Sequence, residues 1–295
     1  GGTFAASNAY LATVVSGHRL TRLLTLMQGS ARAALFAGPA LMGLAADAGA
    51  PLSMYRYLAV LPLLSAVLVW RLPAAGRGAD QPMIAPEPVR PGADRVSPAQ
   101  LYWLQCAFIF ATVVTFPYFV RYAEASLPQA PRAAFGLLFG LPHLVYLLCA
   151  HPLSRWFGQT RLLPTLAASM ALVAVALLGQ AYGPALASMV AWRVLMGVAM
   201  TAGYIALHGL VAAITDAGNA GRRFGALEGS TKWGAVGAGL AAGIATDRWG
   251  LHMPFLIGAA TLGLTALSIV FIVRHARTPL TASARHRSDR AASQP

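Results

Sequence analysis

Long apolar runs constrain this chain more than any other feature. A helix needs about 20 apolar residues to cross the ~30 Å hydrocarbon core of a bilayer, and inside that core every backbone N–H and C=O must find its partner within the protein. Seven runs approach or exceed this length, at 29–46, 54–72, 99–120, 133–153, 162–180, 185–213 and 253–273, and a Gly-rich eighth covers 233–250. Residues 1–16 read as the second half of a ninth helix, apolar but too short to span, and without the charge and cleavage context of a secretory signal. The expected fold class is all-α, a polytopic membrane bundle of eight full spans plus half of a ninth.

The rest of the composition fits that reading. Hydrophobic residues make up 57% of the chain and charged ones 11%, against roughly a quarter charged in an ordinary soluble domain. The net charge of +13 comes from 22 Lys+Arg and 9 Asp+Glu. The basic residues fall between apolar runs, where they orient helices in a membrane, so no nucleic-acid partner is expected. Cys106 and Cys149 each lie inside an apolar run with no CxxC spacing, which offers neither a metal site nor a disulfide. No nucleophile with its base, paired carboxylates, metal cluster or phosphate-cradling Gly loop is found, so neither enzyme chemistry nor a cofactor or metal is expected.

A Pro-, Gly- and charge-rich stretch at 73–98 reads as a linker between a first group of helices, 1–72, and a second, 99–273, and 274–295 as a disordered polar tail. Counting Lys/Arg in alternate connections gives 17 on the side of the linker and tail against 4 opposite, which puts the linker and C-terminus in the cytoplasm. Shifting the chain by 200 residues aligns QGSAR (28–32) with EGSTK (228–232), and in that register Arg22 meets Arg222, Gly43 meets Gly243, Ala45 meets Ala245, Asp47 meets Asp247 and Tyr55 meets Phe255. Both copies start on the same side, as parallel repeats do. A duplication in this register expects on the order of 100 further residues, about three and a half helices, ahead of residue 1, for roughly twelve spans in two sixes.

With these residues in hand the chain resembles the major facilitator superfamily. LFAGPALMG (35–43) is similar to that family's fifth-helix signature through Gly38, Pro39 and Gly43, although Ala34 and Met42 stand where glycine is usual. AWRVLMG (191–197) resembles its R-x-x-x-G signature, in the tenth-helix copy, through Arg193 and Gly197. HPLSRWFGQTR (151–161) keeps only Gly158 and Arg161 of the loop signature, with Arg155 in the place of the acid. GIATDRWG (243–250) fits the loop pattern better, but the charge count puts it outside, where Asp247 and Arg248 read as a helix-end pair. EGSTKWGAVGAG (228–239) is similar to exporters of carboxylate siderophores, with drug exporters the rival subfamily.

The resemblance implies a monomeric secondary transporter of a small organic solute in a bacterial inner membrane, working by alternating access. Its partners are the lipid bilayer, the solute and protons, and the Gly38–Pro39 signature implies export by antiport. Two alternatives stay open, a transport-inactive sensor or assembly protein of the same fold, and an importer of an organic anion. An intramembrane Arg costs at least ~2.5 kcal/mol to insert, so Arg193 is expected to face protein or water. The other substrate or coupling candidates are the polar residues within spans, His208, His143, Asn8 and Gln105, with Asn8 and His208 repeat-equivalent. Tyr146 and His151 are further polar residues there. Glu228 and Lys232, spaced i, i+4, are expected to pair at a helix end, and with Gln28 and Arg32 as their repeat mirror they are candidates for a cytoplasmic gate.

Overall fold

The computed structural model describes residues 2–15, 17–49, 60–71, 96–156, 161–183, 185–215 and 218–275. Within them the chain is helical throughout, with no strand: α1 (Gly2–Val14), α2 (Gly17–Asp47), α3 (Val60–Arg71), α4 (Pro98–Val113), α5 (Phe119–Ser126), α6 (Arg132–Trp156), α7 (Leu162–Tyr182), α8 (Leu186–Ile214), α9 (Ala220–Trp249) and α10 (Met253–His275). Most of the expected linker and tail, along with Gly1 and Gly158, lie outside the described residues.

Among the described residues four segments are long and apolar enough to cross a membrane, Arg132–Arg155, Leu162–Tyr182, Leu186–Ile214 and Met253–Val273. Other expected spans change shape. The run at 29–46 is the later part of α2, and the run at 233–250 is the later part of α9. Counting apolar residues missed the first halves because they are amphipathic: α2 buries Leu20, Leu24 and Thr25 while Arg19 is exposed. The run at 99–120 is broken. Ser97 and Gln100 form a capping box at the start of α4, but Pro117 has no N–H to give to the Val113 carbonyl. Phe116 donates to that carbonyl instead at 2.8 Å, the backbone turns, and the helix restarts as α5.

α8 is the central helix, with Arg193 and nearly every residue from Met196 to Ala212 buried against α6, α7 and α2. Around it α7 packs on α10, and α4 packs on α9. Leu172, Val175 and Leu178 on α7 and Leu264, Leu267 and Phe271 on α10 point outward, the apolar exterior that lipid requires.

The closest backbone approach is between α2 and α6, which run antiparallel. A Cβ at Gly43 would lie 3.0 Å from the Ala133 Cα, one at Gly136 would overlap the Pro39 carbonyl, and one at Gly140 would lie 2.9 Å from the Phe36 carbonyl oxygen. Gly136 and Gly140 form a G-x-x-x-G pair, the spacing that lets two membrane helices meet along their backbones. At one end of this seam the Asp47 carboxylate accepts hydrogen bonds from the backbone N–H groups of Arg132 (3.0 Å) and Ala133 (2.8 Å). One helix thus caps the free donors at the start of the other.

Gly136→Ala should therefore cost about 1–3 kcal/mol through overpacking, whereas Gly38→Ala should be close to neutral, because nothing lies within 4 Å of its added Cβ. Thermal midpoints of the full-length protein in detergent check this: equal losses from both variants would contradict the seam.

Candidate functional site

Among the described residues two arginines are buried, and their surroundings differ in kind. Arg193, 1% exposed, reaches from α8 into α6. Its Nε donates to the Leu138 carbonyl at 2.8 Å, one terminal nitrogen donates to the Phe139 carbonyl, and the other lies 3.4 Å from Gln180 Oε1. The guanidinium also sits 4.1 Å from the centre of the Phe119 ring. The sequence of α6 explains why a carbonyl is available. Pro142 occupies the position that would normally donate to Leu138, and proline has no N–H. A carbonyl orphaned in an apolar interior costs about 1–3 kcal/mol and an unsatisfied guanidinium costs more, so each meets the other's need. Gly197, one turn along from Arg193, lets α6 come close, since a Cβ there would lie 2.6 Å from Val145 Cβ and 3.0 Å from the Pro142 Cα. Arg193 is thus placed as a latch between α8 and the proline-interrupted α6.

Arg32 is the second, 8% exposed and set at the seam of α2, α6 and α8. Its guanidinium lies 4.3 Å from the Tyr204 ring centre and 5.5 Å from that of Tyr146. Its Nε is buried without a hydrogen-bond partner. Cation–π contact is worth about 0.5–2 kcal/mol, which offsets only part of the ~2.5–3.5 kcal/mol that an arginine costs in a membrane interior. Beside it the Tyr146 hydroxyl donates to the Thr25 carbonyl at 2.9 Å. The Thr25 hydroxyl donates to the Thr21 carbonyl at 2.9 Å and lies 3.0 Å from His208 Nδ1. A hydroxyl has one proton, so towards His208 it accepts, which assigns the proton to Nδ1. His143, 1% exposed, has neither ring nitrogen hydrogen-bonded, and it lies within electrostatic reach of both Arg32 and Arg193.

Helical spacing brings these groups together. Thr25 and Arg32 lie seven residues apart on α2, His143 and Tyr146 three apart on α6, and Tyr204 and His208 four apart on α8, so each pair shares a face. Edge-to-face contacts of Tyr204 with Phe108 (5.0 Å) and Tyr146 (5.9 Å) fix the aromatic walls.

The remaining sequence candidates lie elsewhere. Gln105 donates to the Thr231 hydroxyl at 3.2 Å and ties α4 to α9. Asn8 is half-buried on α1, a helix that packs on α9 and α2, and no contact joins it to His208. Glu228 and Lys232 form an ion pair of 3.0 Å on α9, with the lysine side chain 62% exposed. The mirror in Gln28 and Arg32 fails: glutamine supplies no carboxylate, and Arg32 turns into the core. Arg32, counted among the surface charges from sequence, is an interior residue. Gly38 touches nothing through its missing Cβ, while Pro39 and Gly43 build the seam. His151 is exposed, and Asp247 and Arg248 sit in the last turn of α9 ahead of Gly250 (φ +95°) without an ion pair between them. Among the described residues no group of three or more His, Cys, Asp or Glu could hold a metal ion.

Sequence reading missed Thr25, Tyr204, Gln180 and Pro142. A polar-tipped aromatic four residues before His208 inside an apolar run was a usable signal for Tyr204. The partnership of Arg193 with a proline-freed carbonyl on another helix left none.

A double-mutant cycle tests the latch. Arg193→Met alone should destabilise the full-length protein by about 2–4 kcal/mol. In a Pro142→Ala background, where residue 142 regains its N–H, the same change should cost at least ~1 kcal/mol less. Strict additivity would contradict the pairing.

Among curated proteins none matches the chain. The family model described as Major Facilitator Superfamily matches residues 101–294, from α4 through the last helix and beyond. That is more than half of the chain and includes Arg193, His143 and His208, and the chain belongs to this superfamily of membrane transporters.

Proposed function

We propose that the chain is a proton-coupled secondary transporter that exports a small organic solute by alternating access. The observation that supports this best is where the polar cluster sits. Arg32, Thr25, His143, Tyr146 and His208 meet where α2, from the helices before the 73–98 stretch, packs on α6 and α8, from those after it. A site shared between two helix groups opens to one side or the other as the groups rock, which is the geometry alternating access needs.

His143 is the coupling residue in this reading. It lies within electrostatic reach of Arg32 on α2 and Arg193 on α8 and 5.8 Å from the Phe116 ring, and its ring nitrogens are free to take a proton when the cluster is wetted. Export rests on the Gly38–Pro39 signature, of which Pro39 and Gly43 belong to the tightest part of the α2–α6 contact. The orientation goes with the arginine asymmetry, linker and C-terminus in the cytoplasm of a bacterial inner membrane, and the transporter acts as a monomer.

Full-length protein in liposomes loaded with a pH-sensitive dye tests this. Carboxylates, amino acids, sugars and hydrophobic amines, added singly, should include at least one that moves protons across the membrane. His143→Gln should reduce that proton flux at least tenfold while solute exchange at equal pH persists. Solute movement without protons would remove the coupling, and the absence of any flux would favour the sensor or assembly reading.

A further inference from the structure

The two halves of the repeat treat the same position differently. On α9, Lys232 is neutralised by Glu228 one turn before it, 3.0 Å away, at the surface. On α2 the acid is replaced by Gln28 and the cation by Arg32, which is buried, touches the faces of two tyrosines, and keeps its Nε unpartnered. A cation–π contact answers part of the charge but accepts no N–H. Nearby, both ring nitrogens of His143 also lack partners, although that side chain is 1% exposed. The other polar groups here are spoken for, Tyr146 and Thr25 donating to carbonyls and His208 to Thr25. Two side chains of this cluster are therefore left with open nitrogens, a guanidinium and an imidazole within its electrostatic reach, and no Asp or Glu contacts either among the described residues.

We infer that Arg32, assisted by His143, is the anchoring site for the carboxylate of a water-soluble organic anion, the solute that this transporter carries. A planar carboxylate matches the fork of a guanidinium, and the arginine meets it with charge-assisted hydrogen bonds worth roughly twice a neutral one. The walls of Tyr146, Tyr204 and Phe108 take the carbon body of the ligand. Arg193 is not part of the site, since Leu138, Phe139 and Gln180 already occupy its nitrogens. This rests on the transport reading above and adds the ligand's charge and the residue that reads it.

The test is equilibrium binding of radiolabelled citrate, succinate and benzoate to the purified full-length protein, with tetraphenylphosphonium as the cationic comparison. At least one carboxylate should bind, and Arg32→Gln should weaken it about 30-fold or more, while Arg121→Gln, at an exposed position on α5, leaves it unchanged. Should Arg32→Gln fail to fold, Arg32→Lys carries the test, with binding weakened about threefold to tenfold because the charge stays and the fork is lost. Binding of no carboxylate, or equal binding by the Arg32 variants and wild type, overturns the inference. Arg32-dependent binding of labelled phosphatidylglycerol in place of the carboxylates also overturns it, in favour of a lipid headgroup. Flux measured on the same preparation separates the two readings. Transport of the cation alone discards the anion site and keeps the transporter, whereas Arg32-dependent carboxylate binding without any flux keeps the site and discards transport.

Discussion

Backbone contact between α2 and α6 is the constraint on which the rest of this structure depends. Lipid gives apolar helices little reason to prefer one another over acyl chains, so close packing and polar contacts must hold them. Here Gly43, Gly136 and Gly140 remove the side chains that would keep the two backbones apart. Asp47 then closes one end of the pair by capping α6, and Tyr146 ties the other to the Thr25 carbonyl. Only with the helices at this distance do Arg32 of α2 and Tyr146 of α6 meet across the seam, at 5.5 Å.

Charge inside the bundle is managed in two ways. Arg193 is paired with the Leu138 carbonyl that Pro142 has freed, so an interrupted helix and a buried cation stabilise each other and α6 is held in register on α8. Arg32 is left with aromatic faces and an unanswered donor. A latch should be fully satisfied and a binding residue should not be, because a ligand contributes only the contacts that the protein has left open. The contrast assigns the two arginines different roles although both are interior cations.

Much of this was legible in the sequence, and the reasons for the rest are physical. Apolar length located α6, α7, α8 and α10 because α8 is buried on nearly every side and the other three divide their apolar surface between the bundle and lipid. It truncated α2 and α9, whose first halves are amphipathic, and it carried α4 through Pro117, where a missing N–H ends the helix. Arg193 stood out because a charge amid apolar residues is costly wherever it points. Arg32 did not, since its neighbours Gln28 and Ser30 made it resemble a surface residue, and the repeat with Lys232 reinforced that reading. Local pattern reports what a helix is made of, whereas the burial of Arg32 is decided by tyrosines 114 and 172 residues away.

Among the described residues Arg32 has no carboxylate of the protein's own. A high-resolution structure of the full-length gene product in lipid nanodiscs, determined with and without the carboxylate that it binds, tests that most directly. No Asp or Glu oxygen should lie within 4 Å of the Arg32 guanidinium in either state, and ligand density should bridge Arg32 and His143 when the anion is present. An acidic side chain from any part of the chain seated on Arg32 would contradict it.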